Sequence, residues 1–174
     1  MDAPATLAQR ETRDIDIQDC GEKMEALDRR EFVLEPMYKI WGYSESDKIS
    51  LRRGVIERLR VAQDLLRQIL GCEKWKLKIW DGFRTIETQR KIYRAYWEDL
   101  KRRNPGWDDS RIKAAVVVFV SSPQRGVDFP PPHNTGAAVD LTLVDEYGQE
   151  VAMGTAFDEF NDRANTDHFE NGED

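Results

Sequence analysis

Two residue types that hold metal ions stand seven positions apart in P-P-P-H-N-T-G-A-A-V-D, residues 130–140: His133, one of two histidines in the chain, and Asp140. An imidazole nitrogen and a carboxylate oxygen both suit zinc, which takes such donors at about 2.0–2.2 Å. Seven residues of extended chain would span roughly 23 Å, so sharing one ion requires the backbone to fold back between them. Asn134-Thr135-Gly136 supplies turn chemistry at that place, and Gly136 and Ala138 keep the path beside Asp140 free of bulk. Taken as a lone pair, a loop histidine and a solvated strand aspartate are the plainer reading. Such spacings recur by chance, and a catalytic zinc commonly has three protein ligands and a water.

The elements that would position this pair come from hydrophobic periodicity. Leu51, Val55, Leu59, Ala62, Leu66 and Ile69 draw one apolar stripe, which predicts a helix over 51–70 with Ser50 capping its start and Gly71 ending it. In W-K-L-K-I-W-D, residues 75–81, apolar and lysine positions alternate as in a half-buried strand that stops at Asp81-Gly82. A second helix is expected over about 86–103, with Thr85 as N-cap, Glu87 in its first turn, a Lys-Arg-Arg finish, and Ile86, Tyr93, Trp97 and Leu100 as its apolar contacts. Residues 110–120 stay open between helix and strand: Val116 to Val120 favour a strand, Asp109-Ser110 and the alanines a helix. The following S-S-P-Q-R-G-V-D-F-P-P-P reads as a loop, because its three final prolines lack amide donors. From Ala138 the alternation returns, with Val139, Leu141 and Leu143 toward the core and Asp140 away from it. A hairpin turn at Asp145–Gly148 and a return strand over 149–153 come next.

The 174 residues are the size of one domain. A net charge of -7, from 33 acidic and 26 basic residues, argues against nucleic acid as a partner. No stretch has signal-peptide character or approaches the ~18 apolar residues of a membrane span, so a cytoplasmic protein off the membrane is the simplest reading. Cys20 and Cys72 lack CxxC spacing and are expected to stay reduced, behaving as small buried hydrophobes. Oligomeric state has no signature here.

The segment H-N-T-G-A-A-V-D resembles the H-x-x-G-x-A-x-D signature of the D-alanyl-D-alanine dipeptidases, zinc enzymes related to peptidoglycan-cleaving DD- and LD-peptidases. Three further pieces match in order: L-R-R-G-V-I-E-R-L-R-V-A-Q-D-L-L, K-I-W-D-G-F-R-T-I-E-T-Q-R-K-I-Y and V-D-E-Y-G-Q-E-V-A-M-G-T-A-F-D-E-F. The likeness runs over about residues 30–160. It implies an α+β fold of the Hedgehog/DD-peptidase-like kind, a small mainly antiparallel sheet with helices packed on one face and a Zn2+ cleft on the other. It further implies that His133 and Asp140 are zinc ligands, that Arg84 stabilises charge on the scissile carbonyl oxygen, and that Asp158 grips the free amino group of a small dipeptide. The implied activity is zinc-dependent hydrolysis of D-alanyl-D-alanine. The alternatives are carboxypeptidase or endopeptidase action on peptidoglycan peptides, or a truncated remnant without catalysis.

The chain departs from the family pattern in two places. The family's catalytic glutamate and third ligand lie in an E-x-x-H motif beyond the next helix, and the sequence contains no E-x-x-H. The expectation is therefore a single dipeptidase-like domain, 1–174, lacking its C-terminal segment; His168 and Glu170, in N-T-D-H-F-E-N-G-E-D, are not given the missing roles. Pro131 stands where some family members carry a serine two residues before the histidine.

Overall fold

The computed structural model describes residues 18–124, 130–165 and 168. Among the described residues, five strands form two small sheets. In the first, β1 (Met24–Ala26) pairs antiparallel with β3 (Ser50–Arg52). In the second, β4 (Lys76–Asp81) is central, parallel to β2 (Val33–Leu34) and antiparallel to β5 (Asp140–Val144). The α-helices among the described residues are one short one, α1 (Met37–Ile40), and three longer ones, α2 (Arg53–Leu70), α3 (Ile86–Arg103) and α4 (Asp109–Phe119), and the architecture is α+β. The expected class holds, with antiparallel pairing in two of the three strand pairs.

Helix α2 starts two residues later than its periodicity suggests. Leu51 is fully buried and pairs with Glu25, and the backbone around it is claimed elsewhere: Arg52 N donates to Gly136 O (2.9 Å) and Phe83 N to Ser50 O (2.7 Å). Ser50 therefore caps nothing. The helix start is instead served by Glu22, whose carboxylate accepts from Gly54 N at 2.7 Å, a carboxylate at the positive end of the helix. The buried face is Ile56, Leu59 and Gln63, so Ala62 is exposed and Ile69 is 81% exposed. Gln63 is buried because it is fully used: its Oε1 accepts from Leu77 N and its Nε2 donates to Glu31 O, tying α2 to β4. Gly71 ends the helix in the left-handed conformation, φ 63°, as expected.

Strand β4 alternates as read, with Leu77 and Ile79 buried against Phe32, Leu51, Ile56 and Leu59. Helix α3 is capped by Thr85, whose Oγ1 accepts from Thr88 N at 3.1 Å. Its buried residues are Thr88, Gln89 and Ile92, whereas Ile86 faces outward. Residues 109–119 form a helix, settled by the Asp108 carboxylate accepting from Arg111 N (2.8 Å) and by burial of Ile112 and Val116 one turn apart. Ile92, Ile112, Val116 and Tyr38 make a second core, with Tyr96, Trp97, Phe157 and Phe160 packed around it.

Strand β5 begins at Asp140, later than expected, where an irregularity between Ile79 and Asp81 brings Asp81 opposite Asp140. Val139 and Leu143 pack on the core side, yet the other face is not open, since Thr142 is also buried. The turn at Asp145–Gly148 forms, with Asp145 Oδ1 accepting from Tyr147 N and Gln149 N. Its return shrinks to a bridge between Val144 and Glu150, supported by Val151 N to Leu143 O. Of the proline-rich loop, residues 125–129 lie outside the described residues, and Pro132 opens a short 3-10 turn. Both cysteines are free as expected, but Cys20 is exposed, not a buried hydrophobe.

Candidate functional site

The end of β4 and the turn before β5 are laced together, and that lacing builds the site. The 3-10 turn Pro132–Thr135 reverses the chain after the prolines, and Gly136 closes it at φ 74°, a conformation that disfavours a side chain. A Cβ on Gly136 would lie 2.5 Å from the sulfur of Met24. Arg84 N donates to His133 O (3.1 Å), and Asn134 Nδ2 donates to Arg84 O (2.5 Å). Gly82 is confined as well: a Cβ there would meet the Ser50 carbonyl oxygen at 2.7 Å. Its own carbonyl faces His133 Nδ1 at 3.0 Å.

The expected fold-back is thus present: His133 Nε2 stands 3.4 Å from Asp140 Oδ1. A carbonyl oxygen only accepts, so Gly82 O holds a proton on Nδ1; Nε2, on the Asp140 side, donates toward that carboxylate when the ring is charged and offers its lone pair to an ion when the ring is neutral. Asp81 approaches from the Nδ1 side, its Oδ2 3.3 Å from that nitrogen. One donor atom each from Asp81, His133 and Asp140 lies within 4.8 Å of the others, the single such group among the described residues. A nitrogen and carboxylate oxygens are donors that zinc and other divalent first-row metals accept, so these residues fit a metal ion.

Beside this group lies a buried guanidinium. Arg84 donates through Nε to Asp81 Oδ2 (2.9 Å), with Nη2 in ion-pair contact with the same oxygen (2.8 Å), and donates through Nη1 to Gln89 Oε1 (2.8 Å) and through Nη2 to the Tyr38 hydroxyl (3.1 Å). It also lies over the Tyr38 ring, 4.4 Å from the centroid, and 3.5 Å from Asp140 Oδ2. Gln89 is held in turn by donating to Ser121 O (2.7 Å). The Tyr38 hydroxyl donates to Asp158 Oδ2 at 2.8 Å. Asp158 is the sole non-glycine with positive φ (54°) among the described residues, a strained conformation of the kind that clusters at binding sites.

Burial governs the electrostatics. It raises the Asp81 carboxyl above the usual range against the pull of Arg84 and His133, and it raises Asp158 to about 6 against the Tyr38 hydrogen bond. The Tyr38 hydroxyl is pushed up by burial and stays protonated, consistent with its donating to Asp158. For His133 burial works downward, but the hydrogen bond and charge of Asp140 outweigh it and raise its pKa.

Arg84, His133, Asp140 and Asp158 thus line one cleft of about 240 Å³, together with Tyr38 and Gln89. Sequence reasoning had singled out the first four and missed Asp81, Tyr38 and Gln89. The aspartate that opens the D-G-F-R piece, beside Arg84, was the available signal for Asp81; a tyrosine in a short helix and a glutamine inside a helix carry none. His168 is not among the lining residues, and Glu170 lies outside the described residues.

With that geometry, the likeness to known proteins is informative. The sequence profile of the D-ala-D-ala dipeptidase family matches residues 33–172. A D-alanyl-D-alanine dipeptidase of Synechocystis sp. is 28% identical over 167 residues, covering 90% of this chain and 67% of that protein. Among solved structures, a vancomycin resistance D,D-pentapeptidase, VanY, from a VanB-type cassette and in complex with Zn(II), aligns with a TM-score of 0.43 at 23% identity, over 56% of this chain. The chain spans about two thirds of the length of the first and 48% of the second. With a profile match that takes in both β4 and the turn carrying His133, the chain belongs to the D-ala-D-ala dipeptidase family.

Proposed function

We propose that the chain holds a zinc ion through His133 and Asp140 and hydrolyses the dipeptide D-alanyl-D-alanine in the cytoplasm. The observation that carries this reading is His133 Nε2 facing the Asp140 carboxylate in a cleft that also holds a buried arginine and a strained aspartate. A bound zinc would supply Lewis-acid polarisation of the scissile carbonyl and a more acidic water. The chain's own residues do the rest. Arg84, fixed by Asp81, Gln89 and Tyr38, presents a permanent charge where the carbonyl oxygen becomes anionic, without reorganising at that moment. Asp158 offers its carboxylate to the ammonium end of the dipeptide, and Tyr38 orients it. The apolar wall of Ile92, Phe119, Val120 and Phe160 excludes water from the reacting end and suits methyl side chains.

The other outcome is metal and peptide binding without turnover. Zinc content measured together with release of D-alanine separates the two readings. Peptidoglycan carboxypeptidase or endopeptidase action is distinguished by the same assay run on acylated peptides, whose blocked amino group offers Asp158 no ammonium.

A further inference from the structure

Asp81 is the carboxylate closest to both His133 and Arg84, and its geometry distinguishes two roles that its place in the metal-capable group leaves open. Its side chain is 13% exposed. Its Oδ2 already accepts from Arg84 Nε and is ion-paired with Nη2, and it faces His133 Nδ1, the nitrogen whose proton Gly82 O holds. Nε2, whose lone pair a metal ion takes from the neutral ring, points to the opposite side, toward Asp140. An ion taking that lone pair therefore sits on the side of the ring away from Asp81. Arg84 Nη2, meanwhile, stands between two carboxylates, 2.8 Å from Asp81 Oδ2 and 3.5 Å from Asp140 Oδ2. A guanidinium this deeply buried must keep an anionic partner. If Asp81 released it, Asp140 would be the next carboxylate in reach.

We propose that Asp81 is a positioning residue and not a third metal ligand: by holding the Arg84 guanidinium through the Nε hydrogen bond and the ion pair with Nη2, it keeps that cation off Asp140 and leaves the Asp140 carboxylate free for the ion. The inference rests on the reading of His133 and Asp140 as a metal site, and its test separates the two.

Zn2+ affinity of the purified chain, measured by competition with a chromophoric chelator, reads the effect without reference to turnover. Asp81→Asn weakens Zn2+ binding by about 10–100-fold, the range for an outer partner of a ligand. Adding Arg84→Met to that variant restores affinity to within about threefold of the original chain, because the competing cation is gone. A double variant as weak as Asp81→Asn alone would overturn the proposal and make Asp81 a ligand. Should Asp81→Asn fail to fold, the unsubstituted chain carries the test: the Arg84 Nε–H resonance in nitrogen-15 NMR stays slowly exchanging when Zn2+ is added. Its loss on adding Zn2+ would show Asp81 leaving Arg84 for the ion and would contradict the proposal. Equal Zn2+ affinity in the chain and in its His133→Ala variant would instead overturn the metal site itself, and with it this role for Asp81.

Discussion

The four side chains named for chemistry from the sequence are held by others of plainer appearance. Arg84 is aimed by Asp81, Gln89 and Tyr38, so its value lies in a fixed fork and not in charge alone. Arg84→Lys keeps the charge and loses the fork; kcat for D-alanyl-D-alanine should fall about 10²–10³-fold with KM little changed, measured by steady-state release of D-alanine. Asp158 gives a pH signature. Its folded pKa, about 6, lies above the ordinary 3.8, so the metal-free fold binds a proton more tightly than the unfolded chain does. Stability should therefore fall as pH rises from about 4 to 6, by up to about 3 kcal/mol from this group. Asp158→Asn removes that slope, as urea unfolding at several pH values would show. His133 was legible because histidine is scarce and its neighbours are turn formers. Asp81 was not, because a strand-ending Asp-Gly reads first as a turn.

Among the elements, those defined by local chemistry were legible and those defined by distant partners were not. Strand β4 and the Thr85 cap of α3 follow from alternation and from a hydroxyl near a free amide. The start of α2 does not, because Leu51 is drawn into β3 by pairing and burial, and the helix end is served by Glu22 from far upstream. Glu22→Ala should cost about 1 kcal/mol in chemical unfolding with no change in Zn2+ affinity. The turn that delivers His133 is more exacting. Gly136→Ala must place a side chain at φ 74° and move Met24, so it should lower stability by about 1–2 kcal/mol and weaken Zn2+ binding as well. A Gly136→Ala protein with unaltered Zn2+ affinity would show that the turn does not set the ligand geometry.

At the scale of the whole molecule, two hydrophobic clusters hold the parts of the cleft in place. One, built on α2 and β4, fixes the strand that ends in Asp81; the other, from Tyr38, α3 and α4, supplies the apolar wall. The α+β class and family were legible from four matching segments in order, whereas β1, β2 and their pairings left too short a pattern to read. Ile112 is fully buried in the second cluster, and Ile112→Ala should cost about 2–5 kcal/mol in urea unfolding. The central claim, a zinc-dependent dipeptidase site on His133 and Asp140, is met most directly by one paired measurement: zinc bound per chain and D-alanine released from D-alanyl-D-alanine, for the chain and for His133→Ala. The account predicts one zinc per chain, D-alanine release in proportion to it, and loss of both in His133→Ala. Zinc retained by His133→Ala would contradict the metal site, and zinc bound without release of D-alanine would contradict the hydrolase.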